Sequence, residues 1–382
     1  MGETREKDDG EGMSGTREEL TGVPGLARLV VVDRTGSTND DLRSALTGVD
    51  GRLDLRAAAA WPHISALWAR RQDAGRGRAG RRWITPPGSA LTVSFVLRPL
   101  VPAAALAWLP LLAGLAARDV VDAILISARA PWRARTKWPN DVVLVPNERA
   151  GEGIAAGAST GAGTGGGAGA AAVPVPAEIP GWGRARKVAG VLAELIPTAG
   201  GIGARTSAGT TGTADASGAV AAGAADAPGA VGAAGAPGGG GAGGAVGADR
   251  GAACAVVLGI GVNTGQSESE LPVPWATSLR LAGARVEPRA LLEPLSARLD
   301  ELVTAWEAGE GDPDAGDGAL GAALRRACTT LGRRVRVDAP GGVLRGTAVD
   351  IAPGLVLRGA DGTMRTVDAG DVSHVRTDGA VD

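Results

Sequence analysis

Apolar and polar positions change their period several times along this chain, and each change marks an element. Leu29–Asp33 is a short apolar run suited to a buried strand. Ser37-Thr38-Asn39-Asp40 then offers an N-cap with an acidic residue three positions on, which predicts a helix through Leu46. Ile64–Ala69 and Leu91–Leu97 read as strands flanking a loop of glycine and arginine. Pro102–Leu125 has the length and apolar content of a core helix, which Pro110 should kink or divide. Val142–Val145, Val188–Ile196 and Ala253–Val262 read as further strands, and Pro288–Glu307 and Leu320–Leu331 as helices. From Arg333 to Arg376 short β-type runs alternate with turn signals at Pro340-Gly341-Gly342, Pro353-Gly354 and Asp361-Gly362, the pattern of a small antiparallel barrel.

The pattern lapses in three places. Residues 1–25 are polar and acidic and read as a disordered tail. Gly151–Ala172 and Thr198–Ala248 consist mainly of Gly, Ala, Ser and Thr, which cannot bury enough apolar surface to offset their ordering entropy. Both read as disordered insertions, with bounds at about residues 148–183 and 198–250. What remains is one larger domain over residues 26–310 and a small one over 328–378.

Composition narrows the function classes. A formal net charge of −2 calls for neither a nucleic-acid nor a membrane partner. Ala103–Ile126 comes nearest to a membrane span, but Arg118, Asp119 and Asp122 interrupt it. Cys254 and Cys328 lie far apart with no CxxC and no histidine cluster, which argues against a disulfide framework or a zinc site. With an acidic N-terminus unlike a signal peptide, the expected compartment is the cytoplasm. Lysine is almost replaced by arginine, surviving only at Lys7, Lys137 and Lys187; asparagine occurs only at Asn39, Asn140, Asn147 and Asn263. Against that background a retained Lys or Asn points to a position where a substitute would not serve.

Four segments carry candidate chemistry. Gly75-Arg76-Gly77-Arg78-Ala79-Gly80-Arg81-Arg82-Trp83, preceded by Gln72, joins a mobile backbone to bidentate donors and a ring able to stack on a purine. On its own it reads equally as an anion clamp or a basic surface loop. Lys137-Trp138-Pro139-Asn140-Asp141 and Lys187-Val188-Ala189-Gly190-Val191-Leu192-Ala193-Glu194 put the two remaining lysines at strand ends, where a fixed, desolvated cation could neutralise developing phosphate charge. Asn140 and Asp141 taken alone are ordinary turn formers. Gly259-Ile260-Gly261-Val262-Asn263 is a strand ending that could be a simple turn, and Ser37-Thr38-Asn39 is an adequate helix cap.

The order of these segments resembles the biotin–protein ligase family, whose pattern runs Ser-Thr-Asn, Gln with GRGRxGRxW, KWPND, K-x-A-G-I/V-L, G-x-G-x-N and a small SH3-like domain. The resemblance covers about Leu29 to Val375 apart from the insertions. It implies an α+β fold: a mixed-sheet catalytic domain like that of class II aminoacyl-tRNA synthetases, with an SH3-like C-terminal β-barrel. It implies an ATP-dependent ligase that forms biotinyl-5′-AMP and passes biotin to a lysine of the biotin carboxyl carrier domain of an acetyl-CoA or other acyl-CoA carboxylase. Biotin would be held by Ser37, Thr38, Asn39, Gln72, Arg76, Gly77, Arg78 and Lys187, with Lys187 and Arg78 as the catalytic pair. Arg81, Trp83, Asn140, Asp141 and Asn263 would serve the nucleotide. ATP and Mg²⁺ would enter as co-substrate and ion, with no prosthetic group and no protein metal centre.

Two departures from the family pattern bear on these expectations. Only a short polar stretch precedes the first strand, too little for the DNA-binding winged helix of some members, so no DNA partner is expected. The first insertion lengthens the hairpin between KWPND and Lys187. Loop-closure entropy grows only logarithmically with length, so the hairpin can survive, and both insertions are expected to leave the active site as exposed loops. The competing readings are a lipoate–protein ligase-like acyl transferase, which lacks GRGRxGRxW with KWPND, and a non-catalytic biotin-binding relative, against which Lys187, Arg76 and Arg78 argue.

Overall fold

The computed structural model describes residues 4–7, 13–147, 176–198, 254–368 and 370–374. Its main sheet has nine strands in the order β1-β2-β3-β4-β7-β11-β10-β9-β8. These are β1 (Thr4–Lys7), β2 (Met13–Leu20), β3 (Arg28–Thr35), β4 (Ser65–Gln72), β7 (Ala90–Leu97), β8 (Trp132–Lys137), β9 (Asp141–Pro146), β10 (Arg186–Pro197) and β11 (Cys254–Asn263). Every neighbouring pair is antiparallel except β3 and β4. That parallel step needs a crossover, supplied by α1 (Thr38–Leu46) and α2 (Leu55–Ala59). Between β4 and β7 the glycine–arginine loop forms a ribbon of its own, β5 (Gly75–Arg76) paired with β6 (Arg82–Trp83).

Alternation along the strands sends side chains into two separate cores. Leu29 and Val31 of β3, with Leu91, Val93, Phe95 and Leu97 of β7, join one cluster; Val30, Val32 and Val96 join the other. The larger core lies under α3 (Leu109–Ser127) and α4 (Leu292–Ala308). The smaller lies under α1 and α2, where Leu42, Leu46, Leu53, Ala58 and Trp61 close it. Pro110 divides the predicted long helix: Ala103–Trp108 is 3₁₀, and α3 starts with the proline in its first turn, where a missing N–H costs nothing. A further helix, α5 (Ala319–Ala327), leads to the C-terminal domain.

That domain is a five-stranded antiparallel sheet in the order β15-β14-β13-β12-β16. Its strands are β12 (Arg334–Ala339), β13 (Gly342–Ala352), β14 (Gly354–Arg358), β15 (Met364–Val367) and β16 (Asp371–His374). It docks on the edge strand β8: the Thr329 amide donates to Thr136 O at 2.8 Å, and the Trp138 amide to Thr330 Oγ1 at 3.1 Å. The small-domain bound of 378 extends past His374 into residues outside the described ones.

Two expectations about disorder are corrected. Residues 1–25 do not form a simple tail, because β2 pairs along β3. Glu18 bonds Arg70 at 3.1 Å and Glu19 bonds Arg28 at 3.0 Å, and the Thr16 amide donates to Asp33 Oδ2 at 2.9 Å. A strand held by a backbone ladder and ion pairs carries no apolar alternation to read. Of the first insertion, read as about residues 148–183, the described part begins at 176, and Ile179–Ala185 form a tight turn in which the Trp182 and Gly183 amides both donate to Ile179 O. The rest of that insertion, and the second beyond Thr198, lie outside the described residues.

Candidate active site

The sheet face beneath α1 carries the motifs. With Phe95, Val191, Leu258, Ile260 and Val262 turned into the larger core, the opposite parity presents Thr92 and Ser94 from β7, Gly190, Leu192 and Glu194 from β10, and Gly259, Gly261 and Asn263 from β11. The Gly-x-Gly-x-Asn segment is therefore one face of a strand, and its glycines make room. A Cβ on Gly259 would collide with the Asn39 carboxamide, and one on Gly261 would lie 2.5 Å from the Trp83 ring.

Ser37 caps α1 by accepting from the Asp40 amide at 3.4 Å. The Thr38 amide donates to Gln72 Oε1 at 3.0 Å, and Ser94 Oγ donates to Asn39 Oδ1 at 2.6 Å. Asn39 Nδ2 donates to Glu194 Oε2 at 2.7 Å. Ser37, Thr38 and Asn39 are each only 4% exposed. This makes a small buried polar surface whose orientation is fixed by its own hydrogen bonds, a setting suited to a compact polar ligand head.

The Gly/Arg ribbon stands over this surface. Gly75 pairs with Trp83, and the turn between them is closed by the Gly77 amide donating to Arg81 O at 2.6 Å, with Ala79 and Gly80 at positive φ. Its arginines point to different partners. Arg76 bonds Asp40 and reaches Glu194 Oε1 at 3.1 Å. Arg78 turns inward to Asn140 Oδ1 at 3.4 Å, and burial draws its guanidinium below the ordinary value. Arg81 bonds Asp371 of the C-terminal domain at 2.7 Å.

Lys187 lies at the junction. A bulge between Lys187 and Ala189 breaks the β9–β10 register, and the Lys187 Nζ bonds Asp141 Oδ1 at 2.5 Å and stands 5.6 Å from the Trp83 ring centre. The β9–β10 hairpin thus keeps its pairing despite the insertion. Asn140 Nδ2 donates to Val191 O at 2.7 Å, and Asn263 Nδ2 to Thr277 O at 2.9 Å, so both carboxamides are held from behind. Beyond Lys187, Lys137 is 4% exposed, donates to Val372 O at 2.6 Å and faces the Trp182 ring at 4.3 Å. Trp182 stacks on Trp275 with centroids 5.8 Å apart.

All thirteen residues named from the sequence line one cavity of about 540 Å³. It is a long pocket with a neutral hydrogen-bonding end at Ser37–Gln72, a cationic middle at Arg78 and Lys187, and an aromatic, basic far end. The expectation that the first insertion leaves the site is corrected, because Trp182 is in the wall. Sequence reading also missed Glu194, Asp371 and Trp275. Glu194 closed a quoted motif, and Trp182 is a lone aromatic at the end of a Gly/Ala tract, so both carried a faint signal. Asp371 carried none.

The chain matches the Biotin/lipoate A/B protein ligase family over residues 53–204 and the Biotin protein ligase C terminal domain over 330–375. It is 28% identical to the biotin–[acetyl-CoA-carboxylase] ligase of Mycobacterium tuberculosis over 94% of each chain. To the ligase of the same name from Paracoccus denitrificans it is 38% identical over 31% of this chain and 42% of that one. The biotin protein ligase of Aquifex aeolicus, solved in complex with biotin and ATP, shares the fold: TM-score 0.51, 18% identity, 91% of this chain and 99% of that one. Among the described residues no helix is long and apolar enough to cross a membrane.

Proposed function

Because this chain belongs to the biotin protein ligase family, we propose that it activates biotin with ATP as biotinyl-5′-AMP and transfers the biotinyl group to a lysine of a carboxylase carrier domain. The observation that carries the reading is Lys187. Its ammonium pairs with Asp141 Oδ1 at 2.5 Å, lies 5.6 Å from the Trp83 ring centre and lines the same cavity as Ser37–Gln72 and the ribbon arginines, which supports a role where a carboxylate and an α-phosphate meet.

Biotin's ureido group needs fixed donors and acceptors, which Ser37, Thr38, Asn39 and Gln72 supply. Arg76 and Gly77 close that end. The biotin carboxylate attacks the α-phosphorus and pyrophosphate leaves with the electron pair of the broken P–O bond. Two anions approach each other in this step, so Lys187 and Arg78 act by cancelling repulsion and fixing the geometry. Trp83 offers its ring to adenine, with Asn140, Asp141, Asn263 and Arg81 around the nucleotide. ATP enters as its Mg²⁺ complex, the metal arriving on the phosphates. The mixed anhydride is sensitive to water, which gives the ribbon a second purpose as a cover. The carrier lysine amine then attacks the acyl carbon and AMP departs, so no nucleophile on this chain is needed.

The test supplies ATP, Mg²⁺, biotin and a purified carrier domain and follows the carrier's mass, with lipoate in a parallel reaction. One biotinyl group per carrier is expected. Lipoylation without biotinylation, or no gain at all, would overturn the assignment.

A further inference from the structure

Lys137 raises a question that the site described above leaves open. Its side chain is almost wholly withdrawn from water, and its hydrogen bond goes to a neutral carbonyl, Val372 O at 2.6 Å. Burial draws its ammonium below the ordinary lysine value. Yet it lines the far, basic end of the same cavity, beyond Lys187 and near Arg81, the end suited to a chain of phosphates. An ammonium there is useful only if it stays protonated and aimed inward.

Asp141 and Asp371 favour its protonated form by charge, and a third, neutral group reaches it from the first insertion. The Trp182 ring centre lies 4.3 Å from Lys137 Nζ, and the face of an indole is the strongest neutral partner a buried cation can have. The indole is itself fixed. Trp275 stacks on it with planes 11° apart. The turn carrying it is closed by the Trp182 and Gly183 amides on Ile179 O, at 2.9 and 2.8 Å, and by the Ala185 amide on Trp182 O at 3.0 Å. Gly181 and Gly183 adopt φ of 75° and 55°, which a glycine adopts without strain. The His374 amide donates to Gly181 O at 3.4 Å, tying the turn to the strand that also receives the Lys137 bond.

We propose that Trp182, at the end of the low-complexity insertion, is a positioning residue for the nucleotide: its ring holds the Lys137 ammonium toward the phosphate end of the pocket. The inference rests on the ligase reading for its kinetic test, but not for its binding test. The residues that follow the Gly/Ala-rich segment then form a built part of the site. They supply an aromatic wall that the motifs of the family do not contain.

Initial rates of biotin-dependent pyrophosphate release, with ATP and biotin varied in turn, test this on the full chain. Trp182→Ala should raise the KM for ATP about thirtyfold, the scale of one desolvated cation–π contact, while the KM for biotin and kcat stay within about twofold. Trp182→Phe should restore most of the loss, and Trp182→Leu, which keeps apolar bulk without a π face, should not. An unchanged KM for ATP, a parallel rise for both substrates, or rescue by leucine as complete as by phenylalanine would each overturn it. Direct ATP binding without biotin repeats the comparison independently. A wild-type protein that binds ATP but releases no pyrophosphate would sink the ligase reading, while the Phe and Leu variants would still decide the role of Trp182.

Discussion

Glu194 receives three donors at the biotin end of the pocket, and its removal has a calculable consequence. Its carboxylate accepts from Asn39 Nδ2 at 2.7 Å, Arg43 Nη1 at 3.1 Å and Arg76 Nη2 at 3.1 Å. The two arginine contacts lie at the surface, with guanidinium side chains 45% and 41% exposed, so each is worth at most about 1 kcal/mol. The Asn39 contact is different. Asn39 is buried, and losing a charged acceptor leaves its amide with only the long contact to Leu192 O at 3.4 Å, a cost of about 2 kcal/mol. Asn39 and Arg76 are both proposed biotin contacts, so this cost should fall on biotin and not on ATP. Glu194→Ala is expected to raise the KM for biotin about thirtyfold with the KM for ATP unchanged. Glu194→Gln, which keeps an acceptor for Asn39 but loses the charge, should raise it only about fivefold. Pyrophosphate release with each substrate varied in turn is the assay, and thermal unfolding reports the accompanying loss of stability. If the alanine variant bound biotin as tightly as the parent, or lost both substrates equally, Glu194 would not be orienting the biotin end.

Three other outcomes are expected. Gly261→Ala puts a methyl 2.5 Å from the rigid Trp83 ring, so the ring must move and the KM for ATP should rise about tenfold, by the reasoning that ties Trp83 to adenine; substrate titration would detect it. His374, held neutral by burial and then by Lys137 and Arg333, has its pKa lowered to about 4. Because the unfolded chain binds the proton first, stability should fall as pH drops below the ordinary histidine value of ~6.5, by about 2 kcal/mol at pH ~5, and His374→Leu should flatten that limb in urea unfolding curves. Residues 199–253 follow Thr198, and the preceding Pro197 pairs directly with Cys254 at the end of β10 and β11. Replacing them with a short turn should therefore leave turnover within about twofold, since loop closure costs little and none of the described pocket residues is removed; a large loss measured by carrier mass would show that they take part.

The sequence reading succeeded where one element carried one message. The strand positions, the Ser37 cap and the break at Pro110 follow from period and propensity, and all survive in the structure. The candidate residues could be named because each motif is short and local, and they line one cavity. Assembly was not legible. Gly259 and Gly261 read as a strand ending that could be a simple turn, yet they are spaces for Asn39 and Trp83, and a space has no meaning until its occupant is known. Strand β2 reads as part of a tail because its stabilisation comes from backbone pairing with β1 and β3 and from Glu18 and Glu19, which look the same as a solvated acidic run. Asp371 acts across two domains on Arg81, a separation that no local pattern encodes. Trp182 falls inside the 148–183 bounds of the first insertion, although an indole is the residue type least expected in a low-complexity tract.

The central claim is that Lys187 brings a biotin carboxylate and the α-phosphate of ATP together. Biotin-dependent exchange of labelled pyrophosphate into ATP measures that step alone, without the carrier. The parent protein should exchange label only when biotin is present, and Lys187→Ala, folded by thermal unfolding, should exchange about 10²–10³-fold more slowly. Exchange by Lys187→Ala at the parent rate would contradict the account.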